Sequence, residues 1–273
     1  MASCASDGAR VTPRQRRNDD GDLGGAQVEG RQAVRELLLA GRRRVREVLV
    51  ADGRDPSAVL DEIVELARAA SVPVRLVGAH QLAARSSSEA PQGVLAVAEP
   101  LEAADLEVLA RRPPTARAPV PFLVVLDGVT DPHNLGAILR TALCAGATGA
   151  VLPRHRSAHV TATVAKAAAG AVEHLPIALV PGVGAALELL RREGVWSVGL
   201  DEQGARVVHD LDLATEPVAL VLGAEGKGLG RLTRDRCDVL ARVPLAGPLA
   251  SLNVAAAAAV ACFAVSRIRE PPR

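Results

Sequence analysis

The chain has 273 residues but no tyrosine, two phenylalanines and one tryptophan. A core must therefore be assembled from small aliphatic side chains, and hydrophobic residues make up 49% of the sequence. So few rings argue against an RNA reader that stacks bases on aromatic platforms. Phe122, Trp196 and Phe263 lie in apolar runs and read as core residues. The four cysteines, Cys4, Cys144, Cys237 and Cys262, are far apart and form no C-x-x-C pair, which argues against zinc-ribbon and dithiol redox chemistry. Cys144 and Cys262 sit in apolar helical stretches and read as small core hydrophobes. No sign of charge dominates, since the formal net charge is +1. No global field therefore draws nucleic acid, and an RNA partner has to meet a local patch. Arg42-Arg43-Arg44 with Arg46 is the best candidate, and a solvated helix end is its alternative. The N-terminus is polar and lacks an apolar targeting segment. The longest apolar run, Val254–Val265, is too short and Ala-rich to span a bilayer. The expectation is a reduced, soluble, cytoplasmic protein without membrane contact.

Residues 1–26 lack periodic apolar positions and read as a disordered tail. A small α/β unit follows over 27–98. Helices are expected at 30–40, 55–70 and 79–84, with strands at 47–51, 72–76 and 93–98. Residues 99–121 are punctuated by prolines and read as a linker. Over 122–270 the alternation is cleaner. Strands are expected at 122–127, 149–152, 175–179, 195–200, 218–222 and 239–243, and helices at 134–145, 160–170, 183–193, 229–236 and 252–268. Near-continuous apolar strands such as Phe122-Leu123-Val124-Val125-Leu126 fit a parallel sheet covered on both faces. The fold class is thus α/β, with a doubly wound C-terminal domain. In such sheets ligands sit beyond the carboxyl ends of the strands.

Three polar segments follow immediately after expected strands. Gly223-Ala224-Glu225-Gly226-Lys227-Gly228 is a glycine-rich turn between strand and helix. It fails the phosphate-loop template, which needs Lys where Leu229 stands, and it fails G-x-G-x-x-G, because position 231 is Arg. Glu225 opposes a phosphate ligand and suits a cation or a ligand with hydroxyl and amino groups. The alternative is an ordinary turn. Asp127-Gly128-Val129-Thr130-Asp131-Pro132-His133-Asn134 is polar and turn-prone. Its carboxylates read as caps rather than metal ligands, because no further ligand follows at metal-site spacing, so no metal is expected. Asn134 is a candidate helix cap. Arg140 sits among apolar residues of the following helix, where a snorkelling surface side chain is the ordinary reading. Ser251 and Asn253 stand at the entrance of the last helix, where unpaired backbone N–H groups collect. His155, His159 and His174 are isolated and read as structural or surface residues.

In order, LDGVTDPHNLGAILRTA, LVLGAEGKGL and VPLAGPLASLNV resemble the three signature motifs of the SpoU/TrmH branch of the SPOUT methyltransferases. These enzymes transfer a methyl group from S-adenosylmethionine to a ribose 2′-hydroxyl of RNA. The resemblance extends over most of 27–269. Val28-Glu29-Gly30-Arg31-Gln32-Ala33-Val34 and Pro91-Gln92-Gly93-Val94 are similar to the ribosomal-protein-like RNA-binding module of the subgroup that methylates a guanosine of 23S ribosomal RNA. Arg156-Ser157-Ala158 also matches that subgroup, whereas Gln32 stands where it commonly has His. The resemblance implies a trefoil knot around Gly223–Gly228 and Val243–Asn253, and a homodimer formed through the knotted domain with active sites shared between chains. It implies S-adenosylmethionine contacts at Gly223, Val243, Leu245 and Leu252, and a catalytic set of Arg140, Asn134, Glu225, Ser251 and Asn253. In this reading Arg140 steers the target phosphate and stabilises the developing alkoxide. Glu225 orients Arg140 or takes the proton, while Asn134, Ser251 and Asn253 position the ribose. A methyltransferase for transfer RNA or of the antibiotic-resistance type stays open, as does a non-catalytic RNA-binding assembly factor.

Overall fold

The computed structural model describes residues 23–53, 57–88, 90–112, 119–155, 159–248 and 251–269. Residues 1–22, Arg156-Ser157-Ala158 and Leu249-Ala250, which the sequence reading had used, lie outside them.

The N-terminal domain is a four-stranded sheet in the order β1-β4-β2-β3, formed by β1 (Gln27–Glu29), β2 (Val45–Ala51), β3 (Val74–Val77) and β4 (Val94–Ala98). β4 runs antiparallel to both β1 and β2, whereas β2 and β3 are parallel. Helices α1 (Arg31–Ala40) and α2 (Ala58–Ala69) cover one face through Val34, Leu37, Leu60 and Ile63, and α3 (Ala79–Arg85) covers the other through Leu82. α1 ends at Gly41, whose φ of 57° is the left-handed geometry of a helix C-cap.

The C-terminal domain is a seven-stranded sheet in the order β7-β6-β5-β10-β8-β11-β9, and every pairing in it is parallel. Its strands are β5 (Phe122–Asp127), β6 (Gly149–Pro153), β7 (Ile177–Val180), β8 (Trp196–Leu200), β9 (Arg206–Val207), β10 (Val218–Gly223) and β11 (Val239–Arg242). Alternation of side chains along β5 sends Phe122, Val124 and Leu126 to one face and Leu123 and Val125 to the other. The first face is covered by α5 (Pro132–Cys144), α6 (Ala162–Ala167) and α9 (Val254–Arg269). The second is covered by α4 (Leu106–Ala110) and α7 (Val183–Arg192), with α8 (Arg231–Arg236) packed on α7. Both faces are buried, which is why β5 and β10 are apolar at nearly every position. Small residues bring the helices close: a Cβ on Gly136 of α5 would lie 2.5 Å from that of Ala167. Arg269 closes the end of α9, stacking 5.3 Å from the Phe122 ring centre and donating to the carbonyls of Val120, Pro121, Ala214 and Glu216.

Several expectations need correction. Leu23 is buried, and Gly24 bridges Val160, so the folded part starts before residue 27. Residues 99–112 are docked rather than free. Leu101 pairs with Leu23 and Gly24, Ala104 bridges Ala178 beside β7, and α4 packs its Leu106 and Ala110 into the core. Cys144 is exposed, and so are Trp196 and Phe263: Cys144 ends α5, Trp196 opens β8, and Phe263 lies on the outward side of α9; of these aromatic and cysteine positions Cys262 and Phe122 are core. The helix expected at 160–170 is shorter: it ends at Ala167, and two successive left-handed residues, Ala169 and Gly170, separate it from a single 3-10 turn at Ala171–Glu173. No helix among the described residues is long and apolar enough to cross a membrane.

Glu29 in β1 is fully buried, yet it is saturated with donors. Gln27 Nε2, Ser86 Oγ, the Ser87 amide and hydroxyl, and the Ser88 amide and hydroxyl all donate to its carboxylate. Burial would raise its pKa, but the donors from Ser86, Ser88, Ser87 and Gln27 outweigh burial and hold it at about 2, against an ordinary 4.5. The folded carboxyl titrates below the unfolded one. Its stabilisation is therefore complete above pH 4.5 and is lost as the pH falls toward about 2. Glu29→Gln should cost roughly 1–3 kcal/mol at neutral pH and flatten the pH dependence of stability in that acid window. Chemical denaturation across pH checks this; an unchanged slope in the variant would rule out the role.

Candidate active site

Four neighbouring strands, β5, β10, β8 and β11, end on one side of the sheet; the segments that leave β8, β10 and β11 line one crevice, and the loop after β5 lies beside it, bonded to the start of α8. The loop after β10 is pinned across itself: Ala224 and Gly228 exchange backbone hydrogen bonds of 3.0 and 2.9 Å. Gly226 and Gly228 have φ of 70° and 64°, which favours glycine. Gly223 must also lack a side chain, because a Cβ there would collide with the backbone of Gly228 and Leu229. The loop after β5 is held by its carboxylates. Asp127 Oδ2 accepts from the Gly230 amide at 3.0 Å, which ties this loop to the start of α8. Asp131 caps α5 by accepting from the His133 amide at 2.9 Å. The helix cap is thus Asp131, not Asn134, and the buried side chain of Asn134 is left for another task.

That task is a junction with Asn253. The Oδ1 of Asn253 caps α9, accepting from the amides of Ala255 at 2.8 Å and Ala256 at 3.4 Å. Its Nδ2 donates to Asn134 Oδ1 at 3.1 Å and to Glu225 Oε1 at 2.7 Å. Two acceptor and two donor positions are all used, so this one amide joins the three polar segments with no bonding capacity left over.

The crevice holds a cavity of about 340 Å³, within the range of small-molecule sites. Gly223, Val243, Leu245 and Leu252, read as cofactor contacts, all line it, together with Glu225 and Ser251. Asn134 and Asn253 brace it through the junction. Arg140 stands apart. It is exposed on α5, is not among the lining residues and makes no ion pair with any described residue. The expected pairing of Glu225 with Arg140 is therefore not made within one chain; the Glu225 carboxylate faces Asn253 instead.

Asp201, Glu202 and Arg234 also line the cavity and were missed from the sequence. Asp201-Glu202-Gln203-Gly204 is a polar turn straight after an expected strand, the same signal that marked the other three loops. Arg234 holds that turn, 3.4 Å from Asp201 and donating to Gln203 Oε1 at 3.3 Å. The walls combine an apolar side, with Leu222, Val243, Leu245 and Leu252, and the carboxylates of Asp201, Glu202 and Glu225. With Lys227, and with Arg234 paired to Asp201, three carboxylates stand beside two cations, and the lining suits a flat organic ring attached to a cationic centre. Nearby Cys237 is no nucleophile: burial, with Asp238 and Asp127 adding repulsion, pushes its thiol up to about 12. Among the described residues no group of three or more His, Cys, Asp or Glu side chains is placed to hold a metal.

Two family descriptions match the chain: the SpoU rRNA Methylase family over residues 121–263 and the RNA 2′-O ribose methyltransferase substrate-binding family over 27–104. The chain belongs to the SpoU methyltransferase family. It is 41% identical over 246 residues to the 23S rRNA (guanosine-2′-O-)-methyltransferase RlmB of Pseudomonas aeruginosa, covering 90% of this chain and 97% of that one. It is 39% identical over 210 residues to a putative TrmH family tRNA/rRNA methyltransferase, YacO, of Bacillus subtilis, covering 77% and 83%. Among solved structures it is similar to the SpoU methyltransferase AviRb from Streptomyces viridochromogenes in complex with AdoMet. The TM-score is 0.72 and the identity 28%, covering 89% of this chain and 90% of that one. The AdoMet-bound rRNA methyltransferase from Sinorhizobium meliloti gives a TM-score of 0.72 at 26% identity, covering 89% and 87%. The SpoU match at 121–263 includes every strand and loop that builds the cavity.

Asn253→Ala removes a cap and both cross-links of the junction. It should cost about 1–2 kcal/mol of stability and weaken cofactor binding on the order of tenfold. Thermal unfolding and titration calorimetry with S-adenosylmethionine check the two effects; full cofactor affinity in the variant would remove the junction from the site.

Proposed function

We propose that this protein transfers a methyl group from S-adenosylmethionine to a ribose 2′-hydroxyl of ribosomal RNA, the target being a guanosine of the 23S molecule. The observation that carries the reading is the cavity itself. Three polar segments, far apart in sequence, meet at one asparagine around a pocket suited to a cationic nucleoside. The similarity to RlmB across nearly the whole of both chains supports the ribosomal target, and the N-terminal match to a substrate-binding family supports an RNA-handling role for that domain. The trefoil knot belongs to the same reading, since the segments that would form it, Gly223–Gly228 and Val243–Asn253, contribute residues to the same cavity. A cytoplasmic location follows from the substrate.

S-adenosylmethionine, when bound, supplies a methyl group on a sulfonium whose leaving group departs as a neutral thioether, so no acid is needed on that side. Gly223, Val243, Leu245 and Leu252 would hold it, with Ser251 beside them. Glu225, held by Asn253, contributes the negative charge that favours a cation and would take the proton of the 2′-hydroxyl. Most of the acceleration comes from alignment of oxygen and methyl carbon. Guanidinium groups keep their proton in proteins, so Arg140 does not serve as a base. Its role is to steer the target phosphate and stabilise the developing alkoxide.

Arg140 is exposed and outside the cavity of its own chain, which supports a homodimer in which a second copy supplies it. α9 packs on α5, which carries Arg140, and leaves Phe263 50% exposed on its outward side. A second copy would cover this face. Phe263→Arg should then give a monomer by analytical ultracentrifugation. Mixing Arg140→Ala with Asn253→Ala protein at limiting S-adenosylmethionine should give more activity than the two proteins show separately, and mixtures no more active than the sum of their parts would count against a shared site.

Arg140→Ala should lower turnover by about 10²–10³ while cofactor affinity stays within about twofold. The assay is incorporation from tritiated S-adenosylmethionine into unmodified 23S rRNA, with mapping of the methylated ribose. Incorporation at one guanosine 2′-hydroxyl is expected. Incorporation only into transfer RNA would overturn the substrate, and none anywhere, without cofactor binding, would overturn the enzyme in favour of an RNA-binding factor.

A further inference from the structure

The arginine-rich turn Arg42–Arg46 divides its labour. Arg43 points inward and spans the two domains. Its Nε donates to Glu173 Oε2 at 2.9 Å and its Nη2 to Glu173 Oε1 at 2.5 Å, a bidentate fork. Its Nη1 donates to the carbonyls of Gly25 at 2.7 Å and Glu99 at 2.6 Å. Gly25 and Glu99 flank the first and last strands of the N-terminal domain, so one guanidinium ties both ends of that domain to Glu173 of the other. Glu173 is 0% exposed and the Arg43 side chain 6%. The seam continues on both sides. Arg42 donates to the Glu173 carbonyl at 3.2 Å, His174 Nε2 lies 2.8 Å from Glu36, and Lys166 Nζ reaches the Ala90 carbonyl at 2.5 Å.

A second feature points the same way. Gly170, with φ of 84°, lets α1 approach so closely that a Cβ there would lie 2.5 Å from Glu36 Cβ and 3.2 Å from Ala33 Cα. A buried ion pair gains little net stability, since desolvation offsets the attraction, but it tolerates few geometries because each broken contact leaves a charge unpaired. Charge pairing and steric fit at adjacent points of one seam therefore select a single relative orientation of the domains.

We infer that Arg43 and Glu173, seated against Gly170, are positioning residues that lock the RNA-binding domain at one angle to the methyl-transfer site and so set which ribose of a bound RNA reaches it. In-line transfer demands close alignment, and small displacements of the substrate are expensive. Arg43 is thus withdrawn from the basic patch, and Arg44 and Arg46 remain exposed and without an ion pair among the described residues.

The test uses the full-length chain with Glu173→Gln, Arg43→Lys and Gly170→Ala. The RNA arm rests on the methyltransferase reading, so a second arm reads domain geometry alone, by small-angle X-ray scattering without RNA. Scattering from Glu173→Gln and Gly170→Ala should fit only a spread of domain orientations, where the wild type fits one. Calorimetric affinity for S-adenosylmethionine should stay within about twofold, KM for 23S rRNA should rise about tenfold, and kcat at saturating RNA should change less than about threefold. Arg43→Lys, which keeps the charge but loses the fork, should fall between. Unchanged scattering and KM in Glu173→Gln and Gly170→Ala would overturn the inference. So would cofactor affinity and kcat falling together, which would mark general damage. If the wild type methylates no RNA, the methyltransferase reading fails and the scattering arm alone decides the clamp.

Discussion

The site depends on a single side-chain amide. Asn253 caps the last helix with its oxygen and grips Asn134 and Glu225 with its nitrogen, so the start of α9, the start of α5 and the glycine loop are held by one planar group. An amide is suited to this. It offers donors and acceptors at once and carries no charge to desolvate. A carboxylate in its place could cap the helix but would face Glu225 and an acceptor oxygen with no proton to donate. The junction also keeps Glu225 at the cavity wall, where its charge bears on whatever cation enters.

That junction is possible only because the sheet delivers its parts to one place. In an all-parallel sheet the loops that follow the strands emerge on the same side, and β10 lies directly between β5 and β8. Backbones must then approach closely. The chain achieves this with glycine and alanine rather than with large side chains: Gly223 against Gly228, Gly136 against Ala167, Gly170 against Glu36. The shortage of aromatic residues noted in the sequence reappears as a packing rule. Thin helices on thin strands leave little slack, and a site or a seam built this way has few alternative geometries.

Charge follows the same economy. Glu29 and Glu173 are fully buried carboxylates, and each is answered by a full set of donors, hydroxyls and amides in the first case and an arginine fork in the second. Neither adds much net stability over an apolar core, but each makes one arrangement far better than its neighbours. Such groups anchor a serine loop and a domain seam, both of which lie outside the cavity.

From the sequence alone came the α/β class, six of the seven strands of the parallel sheet to within a residue or two, the edge strand β9 being too short to leave a pattern, and the three polar segments that meet at the site. These rest on local signals: apolar periodicity, caps and glycine-rich turns are set by near neighbours and survive in any context. Gly223, Val243, Leu245 and Leu252 were placed by motif, and they share one cavity. Only the tertiary structure decided which positions of an element the packing covers, and so Phe263, Trp196 and Cys144 are exposed although they sit in apolar runs. It also decided partners across long separations. Arg43 reads as one of a basic run until Glu173, 130 residues away, is brought against it. Asn134 reads as a cap until Asp131 takes that place and Asn253 arrives from 119 residues on. Hydrogen bonds and ion pairs of this kind leave no periodic trace along the chain, because their geometry exists only once the sheet has set the elements in order.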